Sequence, residues 1–577
     1  MKNQEIAAML YDIADIYEIL NVEWKPRAYR RAARSVESLS KDIAQMYKEG
    51  GMKTLMEIPG VGPGIGAHIE EYLKTGKNRE YEKLKSKIPK GISELINIPG
   101  MGPKRAMILN KKLKVSSMAQ LEAAAKAGKI AKLEGFGKTS EDNIMKAISL
   151  VKKGTERQML GYAMPVVNDI IDKLKQLKDV ERVSPAGSTR RMQETIGDVD
   201  ILVTSKSPNK VMEFFTKMPS VMQVLAKGPT KSTVILNSGL QVDVRVLKDN
   251  EYGAAMQYFT GNKDHNVKLR QIAINKGYKL SEYGMFDRKT GKKVVSGHTE
   301  EEIYKKLGMD WMPPEIRENR GEIEAAMKHK LPKLVELKDI KGDFHMHSRN
   351  SDGINTIVQM AEAAHNLGYE YIAMSDHSKS EIIAHGMNEK RLKEYFKEID
   401  EANKKLKGKI TILRSSEVDI LPNGEMDFSD NILKQFDIVI GSVHSGFKSP
   451  EDKMTKRIIS AIENEHVDII AHPTGRMIHR REPYAANMEK IFKAAADNGK
   501  VMEVNSYPDR TDLKDIHIKS AIEKGVKLAI DTDSHATTHL NYMWLGVSQA
   551  RRGWAEKKDV VNTMNLKDVK KFFRIRN

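Results

Sequence analysis

Three aspartates have a spacing that suits chemistry on phosphates. Asp198 and Asp200 lie one residue apart in the run GDVDI, and Asp243 lies in the alternating apolar run QVDVRV. Because successive side chains of a strand point to opposite faces, Asp198 and Asp200 share one side of a predicted strand, and a neighbouring strand could bring Asp243 alongside. Three converging carboxylates repel one another unless divalent cations neutralise them. Oxygen ligands of this kind suit Mg²⁺ or Mn²⁺, which also bind substrate phosphates.

A turn that could bind phosphate precedes these aspartates. The run GSTRR places Gly187 and Ser188 ahead of two arginines. Such a turn offers backbone N–H groups and a hydroxyl to phosphate oxygens, and Arg191 adds a cation. An Asp-x-Asp pair at a strand edge is common and can be purely structural, so the ordered set of turn and three aspartates is the stronger signal. Together they predict a site that binds and transfers phosphates.

A second group of residues, rich in histidine, occupies the C-terminal part of the chain. Twelve of the 16 histidines follow residue 340. Most of the group end apolar runs that are predicted as strands, so a closed barrel would point them to one mouth. A single histidine is more often a surface or core residue than a ligand, but this recurrence favours a metal centre. The candidate ligands are His345, His347, Asp352, His377, Glu417, His444, His472, Asp533 and His535.

The positive charge of the chain is concentrated before the histidine-rich part. The 577 residues carry a net charge of +18, and residues 1–340 hold 59 Lys+Arg against 43 Asp+Glu, whereas the remaining 237 residues hold 37 against 35. A polyanionic partner is therefore expected mainly along the first part. A generic lysine-rich surface is the alternative explanation of the charge alone.

The chain has no cysteine, which leaves neither disulfides nor thiolate–zinc sites available. Its first 20 residues predict an amphipathic helix that carries acidic residues, and not a signal peptide. No run approaches the roughly 20 apolar residues that would span a membrane. These features lead us to expect an intracellular, cytoplasmic protein with no membrane partner.

Short helices are predicted for residues 1–153, and three similar glycine runs interrupt them. The runs IPGVG, IPGMG and LEGFG each lie between helical patterns and look like helix-hairpin-helix elements. Their glycines allow a tight turn close to DNA, and the helix that follows offers N–H groups to a phosphate. One such turn could be a plain connector, but three on a basic chain favour sequence-independent binding of the DNA backbone. The glycines concerned are Gly60, Gly62, Gly100, Gly102, Gly135 and Gly137.

Strand and helix patterns alternate in the rest of the chain. Residues 155–320 contain the aspartates, and the proline break WMPPE leads into a charged segment that we interpret as a linker. Beyond Gly342, apolar strands such as YIAMSDH and VKLAIDTDSH alternate with helices. This rhythm is typical of a barrel of parallel strands that carries its polar residues at the strand C-termini.

The turn, the three aspartates and the later run YFTG resemble the family X DNA polymerases, which include DNA polymerase beta. The histidine-rich part resembles the PHP (polymerase and histidinol phosphatase) domain. The resemblance implies a multidomain α+β and α/β fold, with helical helix-hairpin-helix N-terminal domains, a nucleotidyltransferase palm and thumb, and a distorted (β/α)₇ PHP barrel. The implied domains are a helical DNA-binding domain at 1–90, a fingers-like helical domain at 91–153, the palm at 154–255, the thumb at 256–320, a linker at 321–340 and the PHP domain at 341–577.

By this resemblance the palm transfers a nucleotidyl group with two Mg²⁺ or Mn²⁺ ions. Asp198, Asp200 and Asp243 would carry the ions, with Asp243 on the side of the primer 3′-hydroxyl. The aspartates would do the chemistry, whereas other residues would bind and select the nucleotide; core packing is the alternative role for the two aromatic residues among them. The residues that match nucleotide-binding positions of the family are Gly187, Ser188, Arg191, Tyr258, Phe259, Gly261 and Asn266.

The N-terminal region resembles the small domain with which the family holds a 5′-phosphate at a gap. Lys25 and Tyr29 lie where residues of that pocket would be. The chain departs from DNA polymerase beta at two positions, where Gly64 and His68 stand in place of expected lysines. The second lysine is the Schiff-base nucleophile of the 5′-deoxyribose-phosphate lyase, and an imidazole cannot form the protonated imine. We therefore predict no lyase activity of the usual kind.

The PHP resemblance implies a centre of up to three Zn²⁺, Mn²⁺ or Fe²⁺ ions. Closely spaced metals can deprotonate a water and stabilise a departing phosphoester oxygen. The implied activity is a 3′→5′ exonuclease, with abasic-site endonuclease and 3′-phosphatase as related possibilities. Arg476, Arg480 and Arg481 either clamp the DNA phosphate or are ordinary surface cations. The implied ligand sets are His345, His347, Glu417 and Asp533 for one ion, Glu417, His444 and His472 for a second, and Asp352, His377 and His535 for a third.

These features together predict a monomeric DNA repair polymerase that fills short gaps and is fused to a metal-dependent exonuclease. Its expected partners are gapped or primed DNA and deoxynucleoside triphosphates, and the domain combination resembles prokaryotic proteins that would meet the nucleoid during repair. A small-molecule phosphoesterase is an alternative that the hairpin-helix runs and the positive charge disfavour. A DNA-end scaffold with inert sites is another, which the complete aspartate and ligand sets disfavour.

Overall fold

The computed structural model describes most of the chain, in two compact units. One unit comprises residues 1–156 with 237–240, and the other comprises residues 157–236 with 241–577. None of the described helices has both the length and the hydropathy needed to cross a bilayer. The described residues are 2–575 except 21, 38, 40–41, 59, 90–91, 93–94, 96–100, 102, 139, 143, 146–147, 149–156 and 296.

The first unit is helical in its described residues, as predicted for the N-terminal domains. Several helices begin at a polar side chain that accepts N–H groups of the first turn, as Asp42, Asn78 and Ser117 do. The apolar helix faces form two buried clusters, one mainly from the first five helices and one mainly from the next two with the turns around them. The helices span Lys2–Ile19, Lys25–Glu37, Ile43–Met56, Pro63–Thr75, Arg79–Lys85, Pro103–Leu113 and Met118–Lys126.

The palm is built on a five-stranded sheet. The strands of the palm, including two outside this sheet, are β1 (Gln158–Met159), β2 (Val180–Pro185), β3 (Thr195–Ile196), β4 (Asp198–Ser205), β5 (Val221–Lys227), β6 (Lys231–Leu236) and β7 (Gln241–Leu247). The helices of the palm span Leu160–Lys175, Gly187–Arg190 and Pro208–Thr216. The sheet order is β2-β4-β7-β6-β5, in which β4 and β7 are parallel and the other neighbours are antiparallel, while β1 and β3 pair separately. Val199, Ile201 and Val203 are buried on the face of β4 opposite to Asp198 and Asp200.

The thumb packs helices around a short hairpin. Its helices span Tyr252–Thr260, Lys263–Asn275, Glu300–Lys306 and Glu322–Met327, with 3₁₀ turns at Asp249–Glu251 and Pro314–Ile316, and its strands are β8 (Tyr278–Ser281) and β9 (Gly284–Asp287). The last of these helices lies in the segment 321–340 that we interpreted as a linker. Its Ile323 and Ala326 belong to the same buried cluster as Tyr304, so this helix is part of the thumb core. The charged sequence resembles a linker, yet Glu322 is fully buried against His265.

The C-terminal part confirms the predicted (β/α)₇ barrel. Its strands are β10 (Gly342–Asp343), β11 (Tyr371–Met374), β12 (Thr411–Asp419), β13 (Ile438–Ser442), β14 (Ile469–Ile470), β15 (Val501–Asn505) and β16 (Lys527–Asp531). They follow one another in sequence order and all neighbours are parallel. A parallel bridge between Met346 and Ser534, which follow the first and last strands, nearly closes the ring.

Helices cover the outside of these strands, which accounts for their nearly continuous apolar runs. The barrel helices span Ile357–Asn366, Glu389–Lys405, Asp430–Leu433, Glu451–Glu463, Met488–Asp497, Asp515–Glu523, Met543–Arg552 and Leu566–Phe572, with 3₁₀ turns at Leu337–Asp339, Thr537–Tyr542, Lys557–Asp559 and Val561–Thr563. Because all the strands are parallel, their C-terminal ends lie at one mouth, where the polar residues collect.

Candidate active sites

The palm sheet brings the three aspartates onto one face. Asp200 and Asp243 are direct Cα partners on the neighbouring parallel strands β4 and β7. Asp198 lies two residues before Asp200 on β4, so its side chain leaves the same face of the sheet. The third carboxylate is therefore adjacent to the other two, as the alternation of apolar residues predicted.

The electrostatics of this face suit a divalent cation. Burial, followed by the charges of Asp198 and Asp243, raises the pKa of Asp200 to about 6. Asp243 Oδ1 is buried and has no hydrogen-bond partner among the described residues. Lys231 of β6 places its Nζ 2.7 Å from Asp243 Oδ2, a cation that the sequence did not reveal. One ammonium cannot balance three carboxylates, so this oxygen set fits Mg²⁺ or Mn²⁺.

Gly187 allows the predicted phosphate turn to lie against the aspartates. Its φ is +58°, and an added Cβ would lie 2.7 Å from Asp200 Oδ2. The preceding residue, Ala186, donates its backbone N–H to the carbonyl of Asp200 at 2.8 Å. A larger side chain would be strained by the backbone conformation and would meet the carboxylate. Ser188 follows in the short helix Gly187–Arg190, next to the aspartate face.

Arg191 is held by the thumb in this structure. Its Nε donates to Glu318 Oε1 at 2.9 Å, and its Nη1 donates to the carbonyl of Thr260 at 2.8 Å. Arg190 similarly donates to both carboxylate oxygens of Glu300, at 2.9 and 2.7 Å. A guanidinium has five N–H donors, so the bonds of Arg191 to Glu318 and Thr260 leave further donors of Arg191 for a phosphate. The sequence showed the cation but not the glutamate that orients it.

The predicted nucleotide-binding segment of the thumb is held together by Asn266. Its amide nitrogen donates to the carbonyls of Tyr258 and Gly261, at 2.7 and 2.9 Å. The ring of Phe259 packs edge-on against that of Tyr258, with 5.1 Å between centroids. The guanidinium of Arg245 lies 4.7 Å over the Phe259 ring. Because Arg245 lies two residues after Asp243 on β7, this segment is next to the aspartate face.

The N-terminal pocket residues lie together within the first unit. Tyr29 is buried, and its ring centroid lies 5.5 Å from that of Tyr17 and 6.0 Å from that of His68. The Nζ of Lys25 lies 3.4 Å from the hydroxyl of Tyr17. The amide of Asn78 donates to His68 Nδ1 at 3.0 Å, and burial lowers the pKa of His68. The imidazole at this position is therefore held in its neutral form.

Only some of the predicted DNA-contacting glycines can be placed. Gly60 has a φ of +88° and precedes the helix Pro63–Thr75, whose N-cap is Gly62. Gly135 has a φ of +81°, and both it and Gly137 are exposed. These positions suit the tight turn that we predicted for a helix-hairpin-helix element. Gly100 and Gly102 lie outside the described residues.

In the barrel, Glu417 is the centre of the histidine cluster. Its Oε2 lies 3.0 Å from His377 Nδ1 and 3.3 Å from His345 Nε2. Its Oε1 lies 2.9 Å from His472 Nε2 and 3.2 Å from His444 Nε2. These four imidazoles come from four strand ends, and a fifth, that of His347, places its Nε2 3.6 Å from Oε2, so Glu417 is positioned to bridge cations.

The other predicted ligands complete the cluster. His347 Nε2 lies 3.2 Å from Asp533 Oδ1, and His535 Nε2 lies 3.2 Å from Asp352 Oδ2. The grouping differs from the implied one, because His347 and His377 each belong to two sets and His472 belongs to none of the sets found among the described residues. The sets whose ligand atoms lie within 4.8 Å of one another include His345, His347 and Asp533; His347, Asp352, His377 and His535; and His377, Glu417 and His444.

The donor chemistry of this cluster fits transition metal ions. Burial, followed by the charges of His535 and His377, lowers the pKa of His347 to about 3, so this imidazole is a neutral donor. Both of its ring nitrogens are buried without a hydrogen-bond partner among the described residues. Burial and Arg510 likewise lower the pKa of His472 to about 3. Mixed imidazole and carboxylate ligands suit Zn²⁺, Mn²⁺ or Fe²⁺.

Two carboxylates that sequence reasoning missed orient these ligands. Glu503 accepts from His345 Nδ1 at 2.6 Å and from the backbone N–H of His472 at 2.5 Å. Asp419 lies 2.6 Å from His444 Nδ1. In each imidazole the bond at Nδ1 leaves Nε2 facing Glu417. An acidic residue inside an apolar strand, as Glu503 is in KVMEVNS, is a signal that could have revealed this role.

The arginines that follow His472, predicted either to clamp a DNA phosphate or to be surface cations, have partners within the protein, and Arg480 is exposed with its Nη1 3.3 Å from Asp509 Oδ2. Arg476 is buried and donates to both carboxylate oxygens of Glu194 in the palm, at 3.1 and 2.7 Å, so it joins the barrel to the palm. Arg481 donates to the carbonyl of Gly475, and its guanidinium lies 3.8 Å over the Phe447 ring. Arg510, which the sequence analysis did not single out, places its Nε 3.4 Å from Asp533 Oδ2.

Comparison with known proteins identifies the family. The chain is 38% identical to a protein of Bacillus subtilis (strain 168) named DNA polymerase/3'-5' exonuclease PolX, over 577 residues that make up 100% of each protein. The chain belongs to the family X DNA polymerases that carry a C-terminal PHP domain. Within this family X chain, residues 1–78 match the helix-hairpin-helix domain and residues 92–149 match the SAM-like helix-hairpin-helix tandem. Residues 255–318 match the DNA polymerase beta thumb, and residues 343–507 match the PHP domain.

Other relatives each cover only part of this family X chain. DNA polymerase lambda of Rattus norvegicus is 23% identical over 346 residues, which are 55% of this chain and 56% of the relative. A protein of Thermoanaerobacter sp. (strain X514) named a probable phosphatase is 35% identical over 207 residues, which are 34% of this chain and 79% of the relative.

Proposed function

We propose that the chain is a template-directed DNA polymerase that fills short gaps in DNA during repair, and that its PHP barrel is a 3′→5′ exonuclease. The pairing of Asp200 with Asp243, together with a buried Asp243 oxygen that has no hydrogen-bond partner among the described residues, is the observation that carries the polymerase assignment. The relative from Bacillus subtilis, which bears both activities in its name, supports the combination.

In the polymerase site, the described residues would hold the substrate and two cations. Asp198, Asp200 and Asp243 would bind Mg²⁺ or Mn²⁺, which lower the pKa of a primer 3′-hydroxyl and stabilise leaving pyrophosphate. Ser188 and Arg191 would contact the triphosphate, for which Gly187 leaves room. Asn266 would position the segment from Tyr258 to Gly261 beside the incoming nucleotide, since it already binds both carbonyls of that segment.

In the barrel, the nine candidate ligands would hold up to three ions that activate water for attack on a terminal phosphodiester. Glu417 would bridge the ions, because each of its oxygens faces at least two imidazoles. Arg510 would contact the phosphate beside Asp533. We also propose that this centre removes 3′-phosphates and cleaves abasic sites; the relative named a probable phosphatase supports the first of these activities.

The N-terminal unit would bind the DNA backbone on both sides of a gap through its hairpin turns, and Lys25 and Tyr29 would lie near a 5′-phosphate. We propose that it lacks 5′-deoxyribose-phosphate lyase activity, because His68 stands at the nucleophile position and is held by Asn78. Borohydride should trap no adduct between the protein and an incised abasic site. A trapped adduct would contradict this part of the proposal.

The two assigned activities can be separated by paired variants. The double variant Asp198→Ala/Asp200→Ala should lose primer extension by more than about 10³-fold and keep degradation, whereas His345→Ala/His347→Ala should do the reverse. Suitable controls are Asp169→Ala/Asp172→Ala, on an exposed palm helix face, and His365→Ala, on the barrel surface. Primer extension that survives the first double variant would exclude the aspartates as the polymerase site.

A further inference from the structure

Three aromatic side chains of the barrel form a cluster beside the proposed metal centre. The ring centroids of Tyr507, His539 and Tyr542 lie 5.3 to 5.6 Å from one another, and the last two rings are stacked. All three side chains are partly exposed. None of them is among the proposed metal ligands, and the chemistry proposed above uses none of them.

Hydrogen bonds tie this aromatic cluster directly to proposed metal ligands. The backbone N–H of His535 donates to His539 Nδ1 at 3.3 Å. The backbone N–H of Tyr507 donates to Asn505 Oδ1 at 2.9 Å, and the amide nitrogen of Asn505 donates to Asp533 Oδ2 at 3.1 Å. A DNA end whose phosphate lies at these ligands would therefore have its terminal sugar and base within reach of the aromatic rings.

The palm places a fourth aromatic side chain next to residues that adjoin the cluster. Tyr162, on the helix Leu160–Lys175, is 48% exposed, and its hydroxyl donates to Asp509 Oδ1 at 2.6 Å. The helix approaches the barrel so closely that a Cβ added at Gly161 would lie 2.8 Å from Pro508. Asp509 and Pro508 directly follow Tyr507, so the contact places Tyr162 at the edge of the barrel cluster.

We propose that Tyr162, Tyr507, His539 and Tyr542 form a stacking platform that receives the 3′-terminal base of a single-stranded DNA end while its phosphate lies in the metal centre. Every base has a π face, so aromatic rings bind unpaired bases with little sequence preference. The platform rests on the exonuclease function proposed above and deepens it. It also makes the polymerase palm a contributor to the nuclease site.

The test compares two single-stranded substrates that differ only in the last nucleotide. One ends in a normal nucleotide, and the other ends in a tetrahydrofuran abasic residue, which keeps the phosphate and lacks the base. Wild type should show a KM at least about fivefold lower for the normal end, since stacking on one base is the difference. The variants Tyr542→Ala and Tyr162→Ala should lose most of this preference, with a smaller change in kcat and in the KM of the abasic end.

Conservative and distant variants complete the design. Tyr542→Phe and Tyr162→Phe keep the ring and should keep the preference for a base. Tyr283→Ala, which removes a 51% exposed tyrosine at the thumb hairpin, should behave as wild type. Tyr507 is left unchanged because its backbone lies next to Asn505.

Two outcomes would overturn the platform. If the alanine variants keep the full preference for a normal end, the rings do not bind the base; if they lower kcat equally for both ends, the rings only support the metal ligands. Failure of the proposed exonuclease looks different, because wild type itself would then leave both substrates intact, and the platform would fall with it.

Discussion

At the scale of single residues, both candidate sites depend on carboxylates whose surroundings disfavour charge. Asp200 is partly buried beside two other aspartates, and desolvation is the largest cause of the rise in its pKa to about 6. Glu503 is buried against His345 and receives a hydrogen bond from it. Both residues illustrate that binding sites are built at a cost to the stability of the empty protein.

Removal of the Asp200 charge should stabilise the metal-free protein above pH 6. The folded-state pKa lies above the unfolded value of about 3.9, so ionisation of Asp200 destabilises the fold increasingly between pH 4 and 6 and by a constant amount above that. Asp200→Asn should therefore raise the free energy of unfolding by about 1–3 kcal/mol at pH 7.5, measured by denaturation in EDTA. The gain should shrink towards zero near pH 4. A gain independent of pH would contradict the electrostatic cause.

Loss of the Glu503 charge should weaken the PHP metal centre. Glu503→Gln keeps the shape of the side chain but exchanges the carboxylate that holds His345 Nδ1 for a weaker acceptor. Carboxylates that hydrogen-bond to a metal-ligating histidine contribute roughly 10–100-fold to metal affinity. Titration of apoprotein with Mn²⁺, followed by degradation of DNA, should show the loss while primer extension is unchanged. Glu362→Gln, at an exposed helix position, is the control, and equal affinities would contradict the role of Glu503.

At the scale of elements, the strands position the sites as their sequence patterns predicted, whereas one short charged helix was not predicted. The runs around Asp200 and Asp243 alternate, and their register makes the two residues partners. The barrel strands ended at the predicted polar residues. The helix Glu322–Met327 escaped prediction because it is short and because a buried glutamate is recognisable only with its distant partner His265.

Glu322 should be essential for the thumb fold. Its carboxylate accepts from His265 Nδ1 at 2.7 Å and from the backbone N–H groups of Asn319 and Arg320, at 2.8 and 2.7 Å. Glu322→Ala should lower the free energy of unfolding by about 3 kcal/mol, since one buried donor and two partly buried donors lose their acceptor. Denaturant unfolding followed by circular dichroism measures the change. The exposed Glu301→Ala is the control, and a similar small effect of both variants would show that Glu322 is dispensable.

Residue roles outside the three aspartates could be inferred from the sequence only in part. Arg191 was recognisable as a cation beside a phosphate turn, but Glu318, which binds it, is 127 positions later in the chain. Arg476 looked like a DNA contact because it follows His472, yet its partner Glu194 lies in another domain. Pairings across domains have no local spacing, so a single sequence does not display them.

At the scale of the molecule, the barrel is joined to the polymerase by buried ion pairs. Arg552, at the end of the helix Met543–Arg552, donates to Glu318 Oε1 at 3.1 Å and to Asp515 Oδ2 at 2.5 Å. It also donates to the carbonyl of Arg191 at 2.7 Å. A residue of the PHP barrel thus contacts both Arg191, which we propose to bind the triphosphate, and the glutamate that orients it.

Arg552→Leu should therefore impair nucleotide binding from the barrel side. Glu318 and Asp515 would lose a buried guanidinium, which costs about 3–5 kcal/mol when one partner of a buried pair is removed. We expect a lower midpoint of thermal unfolding and a KM for deoxynucleoside triphosphate raised several-fold, with degradation of single-stranded DNA less affected. Arg551→Leu, which removes a more exposed cation bound to Glu315, is the control. An unchanged KM would show that the barrel does not influence the polymerase site.

The pairs Arg476–Glu194 and Arg552–Glu318 have a mechanical consequence. Because these pairs anchor the barrel to the polymerase at two places, they fix the distance between the proposed polymerase site and the proposed nuclease site. A DNA end that passed from one centre to the other would therefore have to separate from its template over a length that bridges this distance. We expect the number of unpaired nucleotides at a 3′ end, more than the identity of its terminal base, to determine which ends are degraded.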